Sequence, residues 1–549
     1  MRTTPTHASG LRHGRDERRE RSFWGWGHAD RFPDDETRRG LARYAEALLG
    51  WSGLEPLPAP VFEALSIAPP RFEVPAALAG FVSDDRRARI EHAHGRAFPD
   101  IVRGFRGDFR AAPDAVAFPS SEDDLERLFE WAAAARVALI PYGGGTSVVG
   151  GVDASLPSGA YAGVVTVDLR ALDRVLEIDE VSRAARIQAG ASGPILEAQL
   201  AAQGLSLRHF PQSFEFSTLG GWIATRAGGH FATLHTHVDD LVESIRMLTP
   251  RGVWQTRRLP ASGAGPAPDR IVLGSEGILG VVTEAWMRVQ PRPRGRASAS
   301  VFFDRLEAAV DATRAIAQAG LHPTNCRLLE AAEAAIHRVE TGGRHVLLLA
   351  FESADEPRAP WIERAVAIAR AHGGEVPQGI ALRDDAAQGT RDEGAATAWR
   401  SAFLDAPYLQ TVMVGFGVVV DTFETACTWD RWPALHEQVV DAVLRASGGD
   451  GRVTFRFTHV YPDGPAPYFT FFARAAGEDP IARWTEIKRA ACDAVIAAGG
   501  TITHHHAVGR IHRPWYERER PTPFAEALRA MKRALDPAAI LNPGVLIDP

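Results

Sequence analysis

The sequence predicts an α+β protein of two domains behind a helical N-terminal segment, and three observations carry that expectation. At 549 residues the chain exceeds the size at which a single core usually stops growing. The stretch Val137–Val152, VALIPYGGGTSVVGGV, runs an apolar β-forming segment into a proline and a glycine cluster, as a buried strand does when it ends in a tight loop. Beyond Pro291-Arg-Pro-Arg-Gly295, which reads as a linker, strands alternate with Ala-rich helices. These features divide the chain into a disordered arm (1–22), the helical segment (23–110), a first domain (111–295), a second domain (296–510) and a C-terminal segment (511–549).

Composition excludes several classes. A hydrophobic content of 45%, a charged content of 23% and a net charge of −7 suit a globular protein and give nucleic acid no reason to bind. Three widely spaced cysteines, Cys326, Cys427 and Cys492, provide neither a disulfide framework nor a C-x-x-C site. No apolar run is long enough to span a bilayer, and no signal-peptide core follows the N-terminal charges, so the cytoplasm is the expected compartment.

In chain order, Phe23-Trp-Gly-Trp-Gly-His28 is too apolar to stay in water and should dock on a later domain. A helical pattern covers Thr37–Leu49, and proline-rich turns follow. Ala115–Phe118 reads as a strand; Ser121 opens a helix whose Leu125, Leu128, Phe129 and Ala132 share a face. That helix leads to Val137 and the glycine loop, where Gly143, Gly144 and Gly145 can turn N–H groups toward one anion and Thr146 and Ser147 add hydroxyls. No Lys-Ser/Thr follows, as a P-loop requires, and Val148 stands where a G-x-G-x-x-G turn needs glycine. A glycine-rich turn without a ligand is the alternative. Strands are expected at Val164–Leu169, Val175–Ile178 and Ala185–Ala189, a helix at Ile195–Gln203 and a helix-to-strand passage at Asp239–Thr249. Two further segments rich in glycine and hydroxyls are Pro211–Gly229 and Leu273–Gly280, the latter ahead of a strand at Val281–Val289. The second domain alternates strands (Val301–Phe303, Val346–Phe351, Leu409–Val420) with helices (Leu306–Ala319, Trp361–Ala371, Trp432–Ala446), and Phe524–Leu535 forms a closing helix.

With PYGGGTS, FSTLGGWIATRAGG and GSEGILGVVTE on the page, the chain resembles the vanillyl-alcohol oxidase, or PCMH, type of FAD-binding fold, and within it the alkyl-dihydroxyacetonephosphate synthases. The narrower resemblance also rests on WGWGHADRF, on HAHGRAFPDIVRGFRGDFRAAPDAVAFP at 92–119 and on DDLVESIRMLTPRG, THHHAVG and Tyr468. It implies a two-subdomain FAD-binding domain, an α+β substrate or cap domain, and a C-terminal segment that returns to the FAD side. It places the pyrophosphate on Pro141, Tyr142, Gly143, Gly144, Gly145, Thr146 and Ser147. The isoalloxazine side falls on Pro211, Ser213, Ser217, Thr218, Gly220, Gly221 and Thr225, and the adenine side on Gly274, Glu276, Gly277, Gly280, Val281 and Val282.

The reaction the resemblance implies exchanges the acyl group of acyl-dihydroxyacetonephosphate for a fatty alcohol, with no net oxidation and with the flavin as a covalent handle. Tyr468 would abstract a proton, His504, His505 and His506 would form a catalytic cluster, Arg327 would be a required arginine, and His209 would lie beside the flavin. As a base Tyr468 would need positive charge nearby, expected from the histidines and Arg327. Where the synthases carry an active-site arginine thirteen residues before their F-E-T segment, this chain has Gln410, a weaker candidate for substrate contact. On a strand His504 and His506 face one way and His505 the other, and no carboxylate stands at ligand spacing, so no metal is expected. The expected partner is a lipid-like small molecule, in a homodimer that is cytoplasmic or peripheral to a membrane. An FAD-linked hydroxy-acid or alcohol dehydrogenase or oxidase, and a flavin-binding protein without turnover, are the alternatives.

Thr146 stands where many members of this fold carry a covalently linked histidine, so the flavin is expected to be non-covalent. Acid precipitation of the yellow protein should release FAD into the supernatant; flavin retained in the pellet refutes the expectation.

Overall fold

The computed structural model describes residues 19–156, 159–356, 358–383, 406–475 and 477–548; residues 1–18 of the expected disordered arm lie outside them. Three main sheets organise the chain. A four-stranded sheet orders Val82–Ser83, Ala115–Ala117, Gly163–Asp168 and Val137–Tyr142, with its last three strands parallel. A five-stranded antiparallel sheet follows, ordered Val175–Asp179, Ala184–Gln188, Val281–Arg288, Val242–Thr249 and Gly252–Gln255. The third has seven antiparallel strands: Ala381–Arg383, Gly295–Phe303, His345–Ser353, Asn325–Leu329, Arg452–Val460, Pro465–Arg474 and Val418–Glu424. The mixed α and β character expected from the sequence is therefore the observed one.

Local chemistry sets the first sheet. Ser121 caps the helix Glu122–Ala135 by accepting the Asp124 N–H, and Leu125, Leu128, Phe129 and Ala132 bury their shared face against the strand that leads to the glycine loop. The far end of the chain locks the same strand: the Leu139 N–H donates to the Ile540 carbonyl and the Asn542 N–H to the Leu139 carbonyl. Asp536 fixes that return by accepting the N–H groups of Ile540 and Leu541 while it pairs with buried Lys532 at 2.6 Å.

In the seven-stranded sheet, alternation separates two environments. Phe423, Phe455, Phe457, Phe469 and Phe471 belong to the core formed with Trp432–Ala446 and Pro480–Ala497. The intervening Glu424, Arg456 and Tyr468 share the opposite face, because Glu424 and Arg456 both pair with Tyr468 in register.

Two expectations change. The Leu409–Val420 segment is not one strand: residues 406–414 are helical, a turn follows, and the strand begins at Val418. A short apolar run does not distinguish the two states, and here burial of Val412, Met413 and Phe416 against the helix Asp35–Leu49 decides for helix. His504–His506 are not on a strand but in a bend. The aromatic N-terminal segment docks as expected: the Trp26 N–H donates to Thr411 Oγ1 at 3.0 Å, and the Trp26 and His28 rings pack on Phe216.

Candidate active site

The three glycine segments meet, and the glycines are what allow it. A Cβ on Gly144 would stand 2.0 Å from the Phe216 carbonyl oxygen, and one on Gly143 would stand 2.2 Å from Thr218 Oγ1. Gly277, at a φ of +78°, abuts Pro141 in the same way. The space that Gly144 keeps open is thus filled by the 211–218 backbone, whereas the sequence reading reserved it for pyrophosphate. What the loop offers a ligand is its backbone. Among the described residues the N–H groups of Gly143 through Val148 donate to no protein acceptor, which leaves six consecutive donors open. Ser147 Oγ closes the loop from within by accepting the Gly151 N–H at 2.9 Å.

Other hydroxyls of the expected cradle have protein partners. Ser217 accepts from Trp222 Nε1 at 2.7 Å and donates to the Ser213 carbonyl, and Thr225 donates to Gly221 within its helix. The Pro211 carbonyl accepts the Phe214 N–H in the turn before them. Gly220 packs on Ala189, Gly280 on Met247, and Val281 and Val282 are buried in their strand; the Tyr142 hydroxyl sits beneath Gly145. Glu276 reaches away from its own segment and accepts the Val508 and Gly509 N–H groups, which joins the 274–280 stretch to the chain just after the histidines. Burial pushes its carboxyl up to about 7 in spite of those two bonds.

The histidines converge through a residue that sequence reasoning passed over. Glu424, 1% exposed, accepts the N–H groups of His504, His505 and His506 and the Thr503 hydroxyl. Burial pushes its carboxyl up, but His505, His506 and the Thr503 bond more than offset this and hold it well below the usual carboxylate range. The chain must bend around this carboxylate, and the bend gathers rings that an extended strand would separate. His504 Nδ1 and His505 Nδ1 come within 3.0 Å, and the His505 and His506 rings stand 6.0 and 5.3 Å from that of Tyr468. His459 joins them because the register slips between Phe457 and His459, which returns its side chain to the Tyr468 face. One nitrogen each of His459, His504 and His505 lies within 4.8 Å of the others. His459 Nε2 already bonds the Gly229 carbonyl at 3.0 Å, which requires a proton on that nitrogen.

Gly228 and Gly229 thread the gap between this cluster and His209: a Cβ on Gly228 would meet His505, and one on Gly229 would meet His209. His209 is 1% exposed, packs against Trp222, and has no partner for either ring nitrogen among the described residues. A buried imidazole without a protein partner and a loop of open N–H groups are both suited to a large polar ligand such as FAD. Arg327, buried on Asn325–Leu329, lies on the same side of the sheet; burial and then the like charge of Arg456 push its guanidinium down to about 9. Gln410 Nε2 donates to the Val420 carbonyl at 3.2 Å and to Asp421 at 3.4 Å, so it ties its helix to the sheet.

Two family models match the chain: an FAD binding domain over residues 113–257 and the C-terminal domain of FAD linked oxidases over 292–546. The chain is 31% identical over 483 residues to the alkyldihydroxyacetonephosphate synthase of Dictyostelium discoideum, covering 85% of this chain and 78% of that one. It is 31% identical over 501 residues to the Caenorhabditis elegans enzyme of the same name, covering 85% and 81%. A solved alkyldihydroxyacetonephosphate synthase structure shares the fold, with a TM-score of 0.77, 24% identity and coverage of 95% of this chain and 98% of that one.

Two predictions follow from the geometry. Gly144→Ala places a methyl against the Phe216 carbonyl and should lower flavin affinity at least about tenfold by parting the loop from the 211–218 segment; unchanged flavin stoichiometry in dilute protein would refute this. The second concerns pH. Burial depresses His209, His505 and His512 to about 3 and His506 to about 4, and holds His459 and His504 well below their ordinary value. Unfolded imidazoles titrate near ~6.5, so from there downward the unfolded chain binds protons that the native one refuses, and stability falls with falling pH. Asp100, Glu276 and Glu330, pushed up by burial to about 6, 7 and 7, and Glu197, also raised, act in the opposite sense, but they are four against these six rings and two further depressed histidines, His345 and His436. The melting temperature should therefore drop steadily from pH 6.5 to 4.5, and a flat profile would show that these rings protonate in the native state.

Proposed function

The chain belongs to the alkyldihydroxyacetonephosphate synthase family of FAD-linked flavoproteins, and from that membership we propose that it exchanges the fatty acyl group of acyl-dihydroxyacetonephosphate for a fatty alcohol. The products are the alkyl ether and the free fatty acid, and no electrons leave the site. FAD, when bound, supplies the nucleophilic flavin nitrogen for this exchange. In this reading residues 111–295 and 511–549 hold the cofactor, and residues 296–510 shape the substrate side.

The observation that carries the reading is the burial of Tyr468 between Arg456 and the His505–His506 rings, on the sheet face opposite the phenylalanine core. Tyr468 moves the proton at substrate C1, which is acidified by the neighbouring ketone. The Thr422 hydroxyl, 2.9 Å from the phenol oxygen, steadies it in either protonation state. With their pKa values depressed by burial, His505 and His506 act as neutral hydrogen-bonding groups toward the departing carboxylate, and Arg327 contributes charge. Gln410, engaged with the strand at Val420, orders the cap helix and brings no charge to the substrate. No helix among the described residues is long and apolar enough to cross a membrane. Assembly as a homodimer, a cytoplasmic location and peripheral contact with the membrane that holds the fatty substrates complete this reading, and light scattering and vesicle flotation test them.

The decisive assay supplies acyl-dihydroxyacetonephosphate and a labelled fatty alcohol to the holoprotein and looks for labelled ether with stoichiometric fatty acid. Tyr468→Phe should keep flavin and fold and lose about 10²-fold or more in turnover. Anaerobic bleaching of the flavin by 2-hydroxy acids, with no ether formed, would overturn the reading.

A further inference from the structure

Tyr468 has a charged residue opposite it on each neighbouring strand, Glu424 on Val418–Glu424 and Arg456 on Arg452–Val460. The two are placed differently. Glu424 is turned toward the backbone of the histidine bend, whereas the Arg456 guanidinium lies over the phenol ring, 3.8 Å from its centroid. It is held there. Glu333, fully buried on the helix Ala331–Ile336, accepts from Arg456 Nη1 and from the Thr454 hydroxyl, and His337 Nε2 stands 3.2 Å behind it. A cation held over the face of a phenol ring stabilises the negative charge that spreads into the ring when the proton leaves.

We propose that Arg456 is the positioning residue for proton transfer at Tyr468: clamped by Glu333 across the ring, it supplies the positive charge that favours the phenolate. This rests on the role given to Tyr468 above. The other groups that face the phenol do not replace it. Glu424 and Asp421, from the neighbouring strand, oppose ionisation; the His505 and His506 rings are uncharged; Thr422 offers a neutral hydroxyl. Burial pushes the phenol up from its ordinary value, and Arg456 pulls most strongly against it. Glu333 has two effects: it fixes the geometry and, as the counter-charge, limits how far Arg456 acts.

The test labels the ring carbon bearing the hydroxyl in the seven tyrosines of the flavin-bound protein and follows their titration by NMR, with Tyr468→Phe to assign the signal. Arg456→Met should move the Tyr468 titration upward by at least about one pH unit and shift the basic-side dependence of kcat the same way. Glu333→Gln should move both downward, and Arg456→Lys should recover part of the wild-type position. Should Arg456→Met fail to fold with Glu333 left unpaired, the double variant Glu333→Gln/Arg456→Met removes both buried charges and should still titrate higher than wild type. A Tyr468 signal that titrates unchanged in a folded Arg456 variant overturns the proposal. Shifted titrations with no ether product leave it standing and remove the synthase reading instead.

Discussion

The active region depends on one buried carboxylate. Glu424 takes three successive backbone N–H groups and a hydroxyl from a chain segment some eighty residues away, and so fixes the bend that presents His504, His505 and His506 toward Tyr468. Without it the His504 and His505 N–H groups would lose their acceptor, at a cost of about 1–3 kcal/mol each, while the His506 N–H would keep the Thr503 hydroxyl. The carboxylate stays charged because its donors surround it, and the rings it positions stay neutral because they are buried. Charge and geometry at the site therefore share one origin.

The cofactor side follows a parallel logic with backbone in place of charge. Glycines at 143, 144, 228, 229 and 277 let chain segments approach more closely than any side chain would permit, and the N–H groups of the 143–148 loop have no partner among the described residues. Glu276 links this cradle to the histidine bend through Val508 and Gly509. The spacing between the 274–280 segment and the histidine bend is thus set by covalent continuity and two hydrogen bonds.

Much of this was legible in the sequence. The Ser121-capped helix and the strand into the glycine loop announced themselves by local pattern, and so did the three glycine-rich segments, because capping, periodicity and glycine runs are local signals. Tyr468 and the histidines were found through family likeness. Glu424 lay in the F-E-T segment, which served only as a landmark for counting back to Gln410; its role is invisible there because its partners are 79 to 82 residues distant. Glu333 and Arg456 are 123 residues apart and meet only through sheet register. The bulge that turns His459 toward Tyr468 has no sequence mark either, and assuming simple alternation put the three histidines on opposite faces.

The N-terminal strap has a consequence for how the protein is made. Arg21 donates to the Gly144 carbonyl, Trp26 to Thr411 across 385 residues, and Arg96 to the Ser22 carbonyl, so residues 21–26 close over the glycine loop and the helix at 406–414 at once. These residues are synthesised long before their docking surface is complete, because that surface includes the helix at 406–414. Phe23 and Trp24 have partners in Phe32, Phe62, Phe105 and Phe109, but the Trp26 N–H waits for Thr411. A segment made early thus seats late, and its closure ties the glycine loop at Gly144 to the helix at 406–414.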